Sequence, residues 1–246
     1  MKGAALGFAA AVSCAVLAAA PAQANPNLAD YPAPAVAPGV AIATYAPDRS
    51  PAGFCTVGWL VHDADGQAGL LTAGHCDHGG GGAYQNATDG TLGVGRFTHH
   101  IDEGDRGEDA DIAVLGIGNY RGAARPVATD TRIIGIRPTS APANPGRLSV
   151  GQWLCHYGAA THLACGPITA VLDTKVIFAA PARKGDSGGP VYYRNSDGTA
   201  TPVGVAIRVE DGGDGTVAEL IGPWLERWHL TVDTTPVPAA PVGWHR

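Results

Sequence analysis

From residue 55 onward the chain alternates short apolar runs with turns rich in glycine and proline. The runs have the length of strands, and no strand–helix–strand rhythm connects them. This pattern predicts an all-β barrel or sandwich. The predicted strands cover residues 55–61, 69–72, 92–98, 112–117, 133–136, 148–156, 168–179, 191–194, 202–209 and 216–221.

One stretch near the end has a helical pattern. Pro223 suits the first position of a helix, and Trp224, Leu225 and Trp228 recur on one face. We therefore predict a short C-terminal helix over residues 223–230.

The first 24 residues have the pattern of an export signal. A lysine at position 2 precedes a run of Ala, Val and Leu, and Ala22-Gln23-Ala24 matches a cleavage site. The run is short and rich in small residues, so an uncleaved membrane anchor is the weaker alternative. We predict a secreted protein, extracellular or at the cell envelope, with no stable membrane span after signal removal.

Two segments rich in proline and alanine flank the strands. Residues 25–50 show no period of 2 or 3.6, which indicates an extended lead-in or a short propeptide. Residues 233–246 form a second such segment, which we interpret as a tail.

Composition narrows the possible functions. The formal net charge of −6 argues against a nucleic acid partner. Four cysteines follow the signal, and an even number in an exported chain predicts two disulfides with three possible pairings. The alternative, a zinc site, needs a Cys-x-x-Cys spacing that the sequence lacks, so we predict neither metal nor cofactor. The four are Cys55, Cys76, Cys155 and Cys165.

The strongest candidate chemistry lies in Lys184–Val191, where Ser187 stands between glycines. Glycines permit a sharp turn and a close approach of substrate, and the amides of Gly185 and Ser187 can stabilise a charged oxygen. A serine hydroxyl needs a base and the base needs an orienting carboxylate. His75 and Asp111 are the candidates for these two roles.

Two alternatives to this interpretation come from the residues themselves. Asp109 competes with Asp111, but Asp111 directly precedes the apolar run Ile112–Leu115, which would hold it at a buried strand start. Gly-x-Ser-x-Gly also occurs in α/β-hydrolases, where the order is serine, acid, histidine. Here the histidine and the aspartate precede the serine.

Taken together, these stretches resemble the chymotrypsin-like serine proteases. The likeness is greatest to the secreted bacterial branch that includes the streptogrisins and alpha-lytic protease. Residues 72–76 are similar to the histidine box of that family, residues 111–115 to its aspartate strand, and residues 185–190 to its serine box. The resemblance covers about residues 50–232.

The resemblance implies two six-stranded antiparallel β-barrels with a short C-terminal helix, over residues 51–125 and 126–232. It implies a serine endopeptidase in which His75 is the general base, Asp111 orients it and Ser187 is the nucleophile. It also pairs Cys55 with Cys76 and Cys155 with Cys165. We expect a monomer that acts on protein or peptide substrates.

The predicted substrate pocket departs from the family. Pro181 occupies the position where trypsin-like enzymes have an aspartate, and the substrate strand is Ile207-Arg208-Val209. Val209 and Thr216 replace pocket glycines, and Ile207 replaces a serine that supports the aspartate of the triad. The resemblance thus implies a preference for small apolar side chains. The alternative is a catalytically weak or inactive protease-fold binding protein at the cell envelope.

Asp186 precedes the nucleophile and in the family is an ion-paired acid. Bacterial relatives pair it with an arginine, and His156 stands at that position here. We hypothesise that His156 pairs with Asp186, so that its charge falls as pH rises. A buried neutral histidine is the alternative.

Overall fold

The structure, a computed structural model, describes residues 37–87, 90–118, 132–133, 135–137 and 148–234. The predicted signal, the first part of the lead-in and the tail from residue 235 lie outside these ranges. Among the described residues, no helix is long and apolar enough to span a membrane.

Eight strands form the first sheet, and all of their pairings are antiparallel. Their order in the sheet is β15-β3-β4-β7-β6-β5-β1-β2. The strands are β1 (Ala41–Tyr45), β2 (Pro51–Thr56), β3 (Leu60–His62), β4 (Ala68–Thr72), β5 (Gly82–Ala87), β6 (Gly90–Asp102), β7 (Asp111–Gly118) and β15 (Thr231–Val232).

The second sheet contains the remaining strands in the order β12-β9-β10-β11-β14-β13-β8. Strand β12 also pairs with β13, which closes six antiparallel strands into a barrel, and β8 joins β13 in parallel. The elements are β8 (Gly135–Ile136), β9 (Trp153–Gly158), β10 (His162–Val171), β11 (Lys175–Phe178), β12 (Pro190–Arg194), β13 (Thr199–Val209), β14 (Thr216–Leu220) and the helix α1 (Gly222–Arg227). The predicted all-β chymotrypsin-like architecture with a short C-terminal helix is confirmed.

Two predicted strands are each two strands in the structure. The run 55–61 is divided between β2 and β3, because the backbone at Gly58 leaves the ladder and packs under the second sheet. A Cβ there would lie 2.6 Å from Val205 Cγ1 and 2.7 Å from the carbonyl of Gly188. The run 168–179 reverses direction between β10 and β11, which pair as a hairpin. Apolar content alone does not reveal either break.

Strand β1 lies inside the segment predicted as an extended lead-in. It pairs with β2 and β5, and Ile42 is fully buried. Strand β15, beyond the helix, returns to the first sheet and pairs with β3. The first sheet is thus completed by a strand from beyond the whole second sheet in the sequence.

One hydrophobic cluster joins the two sheets, and a second cluster fills the barrel of the second sheet. The first cluster includes Trp59, just before β3, and Leu71 of β4 with Val205 and Ile207 of β13. The indole Nε1 of Trp59 donates to the carbonyl of Gly204 at 2.9 Å, which satisfies a polar group buried between the sheets. This shared core fixes the relative position of residues that are far apart in sequence.

Candidate active site

His75 lies in a single 3-10 turn, Gly74–Cys76, that directly follows β4. The turn presses against the first sheet so closely that a Cβ on Gly74 would lie 1.9 Å from the carbonyl oxygen of Ile101. Only glycine fits there. The turn holds the backbone of His75 firmly while its side chain stays 39% exposed.

Asp111 is the first residue of β7 and forms two hydrogen bonds with His75. Its Oδ1 accepts the backbone amide of His75 at 2.9 Å, and its Oδ2 lies 2.7 Å from His75 Nδ1. Asp109, the alternative candidate, instead accepts a hydrogen bond from the backbone amide of Arg106 within its own loop. The structure therefore brings Asp111, and not Asp109, to the histidine.

This contact sets the chemistry of His75. Burial lowers the pKa of its imidazole, but the hydrogen bond and charge of Asp111, with a further contribution from Asp102, outweigh burial and raise the pKa above its ordinary value. A carboxylate only accepts hydrogen bonds, so Nδ1 carries the proton. Nε2 is then the nitrogen that can take a proton from a neighbouring group.

The residues before Ser187 form a tight turn. The amide of Asp186 donates to the carbonyl of Arg183 at 3.0 Å, and Gly185 has a φ of 104°. Positive φ at the third position is the mark of a type II turn, which favours glycine. In the described part of the chain, the amides of Gly185 and Ser187 donate to no protein acceptor. Both are therefore available to a ligand oxygen.

Strand β2 connects the serine turn to the histidine turn. The amide of Thr56 donates to the carbonyl of Ser187 at 2.7 Å, and its hydroxyl donates to the carbonyl of Gly185 at 2.7 Å. The neighbouring Cys55 forms a disulfide with Cys76. Cys76, which follows His75, is thus covalently bonded to Cys55, which precedes the Thr56 that holds the serine turn.

Both predicted disulfides are confirmed. Cys155 and Cys165 are bonded across β9 and β10, where they are directly opposite each other. Across the described ranges, the only cluster with metal-ligand spacing is Cys55, His75 and Cys76. Its two sulfurs are bonded to each other, so they do not offer the thiolates that a metal site needs.

A cavity of about 230 Å³ lies beside Ser187. Its walls include the predicted pocket residues Ile207, Arg208 and Val209. Pro181 and Thr216 are not part of this lining; Pro181 is exposed, and the buried hydroxyl of Thr216 donates to a carbonyl at 2.7 Å. The other lining residues are Ala182, Arg183, Lys184, Asp186 and Ala206.

A larger groove, about 490 Å³, lies along β1, β5 and β6. It contains none of the catalytic candidates. The smaller cavity, which Ser187 lines, is therefore the candidate site.

The hypothesised pair of His156 and Asp186 is not formed. The carboxylate of Asp186 accepts three backbone amides, those of Ala160 and Thr161 at 2.9 Å and that of Arg183 at 2.7 Å. The Nε2 of His156 instead lies 2.8 Å from the carbonyl of Pro181. Burial lowers the pKa of His156, despite this bond and the charge of Asp186. His156 is therefore buried without an ion pair to Asp186, and its lowered pKa favours the neutral imidazole.

Sequence reasoning missed one pair of residues near the site. Lys175 and Glu219 are fully buried opposite each other on β11 and β14, and Glu219 accepts the amide of Asp111. The available signal was one charged residue within each of the apolar segments 175–178 and 216–220. Such residues are rarely buried without a partner.

Solved structures with this architecture define the class of the fold. The chain is 23% identical to Nocardiopsis protease (TM-score 0.58, covering 80% of this chain and 97% of that one). It is 21% identical to Thermobifida fusca protease A (0.57, 81% and 98%) and 24% identical to Cellulomonas bogoriensis chymotrypsin (0.57, 81% and 99%). The chain has the fold of the bacterial chymotrypsin-like serine proteases.

No protein-family model matches the sequence. Two uncharacterized proteins of Mycobacterium tuberculosis do: MT1863 of strain CDC 1551 / Oshkosh, 31% identical over 176 residues, and Rv1815 of strain H37Rv, 31% identical over 175 residues. Each alignment covers 68% of this chain and 74% of the relative. The chain belongs to the same family as these two proteins.

Proposed function

We propose that this chain is a serine endopeptidase that cleaves peptide bonds through an acyl-enzyme. The observation that carries the proposal is the two-point contact of Asp111 with His75, next to a serine turn whose amides of Gly185 and Ser187 are free to donate. This combination supplies an oriented base, a nucleophile and donors for a developing oxyanion.

The proposed reaction has two stages. The Oγ of Ser187 attacks the peptide carbonyl while Nε2 of His75 takes its proton, and the carbonyl electrons move to the oxygen, which the amides of Gly185 and Ser187 hold. The intermediate collapses when His75 returns the proton to the leaving amine and the C–N bond breaks. Water then attacks the acyl-enzyme while Nε2 of His75 takes its proton. The ester bond to Oγ of Ser187 breaks, His75 returns the proton to Oγ, and the acid is released.

Asp111 keeps the proton on Nδ1 of His75 throughout and stabilises the imidazolium that forms. The raised pKa of His75 is the expected result of that contact. The imidazole must be neutral to accept a proton, so activity should rise with pH through this raised value.

The cavity supports a preference for small apolar side chains before the scissile bond. Its volume of about 230 Å³ is modest, and its apolar lining includes Ala206, Ile207 and Val209. Two disulfides support a site of action outside the cytoplasm, since such bonds persist in oxidising compartments. We therefore propose an exported enzyme with peptide or protein substrates.

The test is reaction of the purified protein with a fluorophosphonate probe, followed by peptide mapping of the label. We expect labelling of Ser187, none in Ser187→Ala, and unchanged labelling in Ser149→Ala, which alters an exposed serine. Absence of label on folded wild-type protein would contradict the proposal and favour a protease-fold binding protein.

Chromogenic peptides that differ only in the residue before the cleaved bond test the preference. We expect Ala and Val to be cleaved faster than Phe, Arg or Glu. Faster cleavage of the larger or charged residues would contradict the proposed pocket.

A further inference from the structure

A buried ion pair lies behind the aspartate of the proposed triad. Lys175 on β11 and Glu219 on β14 are directly opposite each other, with Nζ 2.8 Å from Oε2, and both side chains are 0% exposed. The pair belongs to the second sheet, whereas Asp111 begins β7 of the first.

Glu219 has donors on both oxygens. Its Oε2 accepts the backbone amide of Asp111 at 3.1 Å in addition to Lys175, and its Oε1 accepts the indole Nε1 of Trp224 at 2.7 Å. Lys175 is also satisfied, since Nζ donates to Thr174 Oγ1 at 2.8 Å and approaches the carbonyl of Glu108 at 3.4 Å. The network is complete, so its geometry is well defined.

Stability alone is a poor explanation for this pair. Removing two charges from water is expensive, and replacing a buried ion pair by apolar residues is often neutral or stabilising. What distinguishes this ion pair is its effect on the position of Asp111. Through the amide of Asp111, Glu219 fixes the backbone of the residue whose carboxylate holds His75 at two points.

The apolar side chain of Ile207 makes the contact between Glu219 and Asp111 more important. Ile207 is buried in the core and carries no hydrogen-bonding group on its side chain, so it cannot hold the carboxylate of Asp111. Within the described residues, the carboxylate of Asp111 has His75 as its partner. Among the described residues, the hydrogen bond that Glu219 accepts from its amide is the one that ties Asp111 to the second sheet.

We propose that Glu219, held by Lys175, is a positioning residue that fixes Asp111 for its contact with His75. The inference rests on the proposed function, because the contact matters only if His75 acts as a base. The lysine also neutralises the glutamate, so that Asp111 supplies the negative charge nearest the imidazole. Among the described residues, Asp102 on β6 is the other ionisable group whose charge acts on His75.

Two double variants test the proposal. Lys175→Met with Glu219→Leu removes the charges and the acceptor, whereas Lys175→Met with Glu219→Gln removes the charges but keeps an acceptor oxygen for the Asp111 amide. We expect kcat to fall about tenfold or more in the Leu variant, because small displacements of a catalytic group are costly, with KM nearly unchanged. The Gln variant should retain most of kcat.

The measurement that separates positioning from a merely structural role is the pKa of His75, determined by NMR titration. We expect its pKa to fall in the Leu variant, because a loosened Asp111 stabilises the imidazolium less. Val203→Ala is the matched control, since it truncates a fully buried residue of the second core cluster, which contains no residue of β7. It should lower Tm without changing the titration of His75.

The outcomes separate the two proposals. If wild-type protein does not react with the fluorophosphonate probe, the proposed function fails. If it reacts, and the folded Leu variant keeps both kcat and the His75 titration, the positioning role is wrong. Should the Leu variant not fold, amide exchange in wild-type protein decides: we expect slow exchange at Asp111, and fast exchange beside a protected Ile112 would overturn the proposal.

Discussion

At the residue scale, the side chain of Asp111 determines which nitrogen of His75 carries the proton. Because its Oδ1 is bound to the backbone amide of His75, only Oδ2 is left for the imidazole. An asparagine in its place would keep its carbonyl oxygen on that amide and turn its NH₂ group towards Nδ1. The imidazole would then carry its proton on Nε2, where a base cannot take another.

We therefore expect Asp111→Asn to lower kcat/KM by about 10⁴-fold with little change in fold. The acid limb of the pH profile should move to lower pH, because the pKa of His75 loses the contact that raises it. Peptide hydrolysis across pH measures both effects.

The matched control is Asp109→Asn, which changes a loop carboxylate bound to the amide of Arg106. It should stay within a few-fold of wild type, and equal losses in the two variants would contradict the assignment of Asp111.

The same contact affects stability. The pKa of His75 is raised in the folded state, so its contribution is fully present below the ordinary histidine value. It is lost as pH rises through the raised value. His156 has the opposite sign, since burial lowers its pKa and acid favours the unfolded chain.

At the scale of single elements, glycine placement determines the serine turn. Gly188 has a φ of 87°, and a Cβ there would lie 2.0 Å from Thr72 Oγ1 and 2.2 Å from the carbonyl of Thr56. The residue after the nucleophile therefore packs directly on the first sheet. No side chain can replace it without moving Ser187.

Gly188→Ala should lower Tm markedly and slow the reaction with the fluorophosphonate probe by about tenfold or more, since forcing atoms into a packed site displaces its neighbours. Gly213 provides a matched control, because its φ is 90° but nothing lies within 4 Å of its Cβ position. Gly213→Ala carries the same backbone strain and should react at nearly the wild-type rate. Equal effects would show that backbone conformation, and not the contact with the first sheet, is what matters.

Across the whole molecule, a few buried polar contacts hold the two sheets together at the site. Thr56 on β2 is central: its hydroxyl donates to the carbonyl of Gly185 and accepts the amide of Ala159 at 2.9 Å. Both partners belong to the second half of the chain. The serine turn is thus held by the first sheet as well as by its own.

Thr56→Val keeps the shape but leaves two buried backbone groups unpaired, which should cost about 2–5 kcal/mol of unfolding free energy. Thr44 is the matched control, because it is nearly as buried on β1 and its hydroxyl has no hydrogen-bond partner among the described residues. Thr44→Val should change stability by less than about 0.5 kcal/mol or increase it. Urea denaturation of both variants measures the difference, and a similar loss in the two would contradict the role of the Thr56 hydroxyl.

Much of this molecule is determined by local sequence. The all-β class follows from short apolar runs, because strand length and periodicity are properties of consecutive residues. Ser187 was predicted from the glycines around it and Asp111 from the apolar run that follows it, whereas His75 was chosen among nine histidines by its resemblance to the histidine box of the family. The two disulfide pairings followed from the family resemblance, and the structure confirms them.

Only the tertiary structure decided which distant groups meet. The pairing of β1 and β15 with the first sheet, the choice of Pro181 as the partner of His156, and the contact between Glu219 and Asp111 all join segments that no local pattern connects. The last of these spans 108 residues. A buried polar group must find a partner, but which partner depends on how the sheets pack, and that is a property of the whole chain.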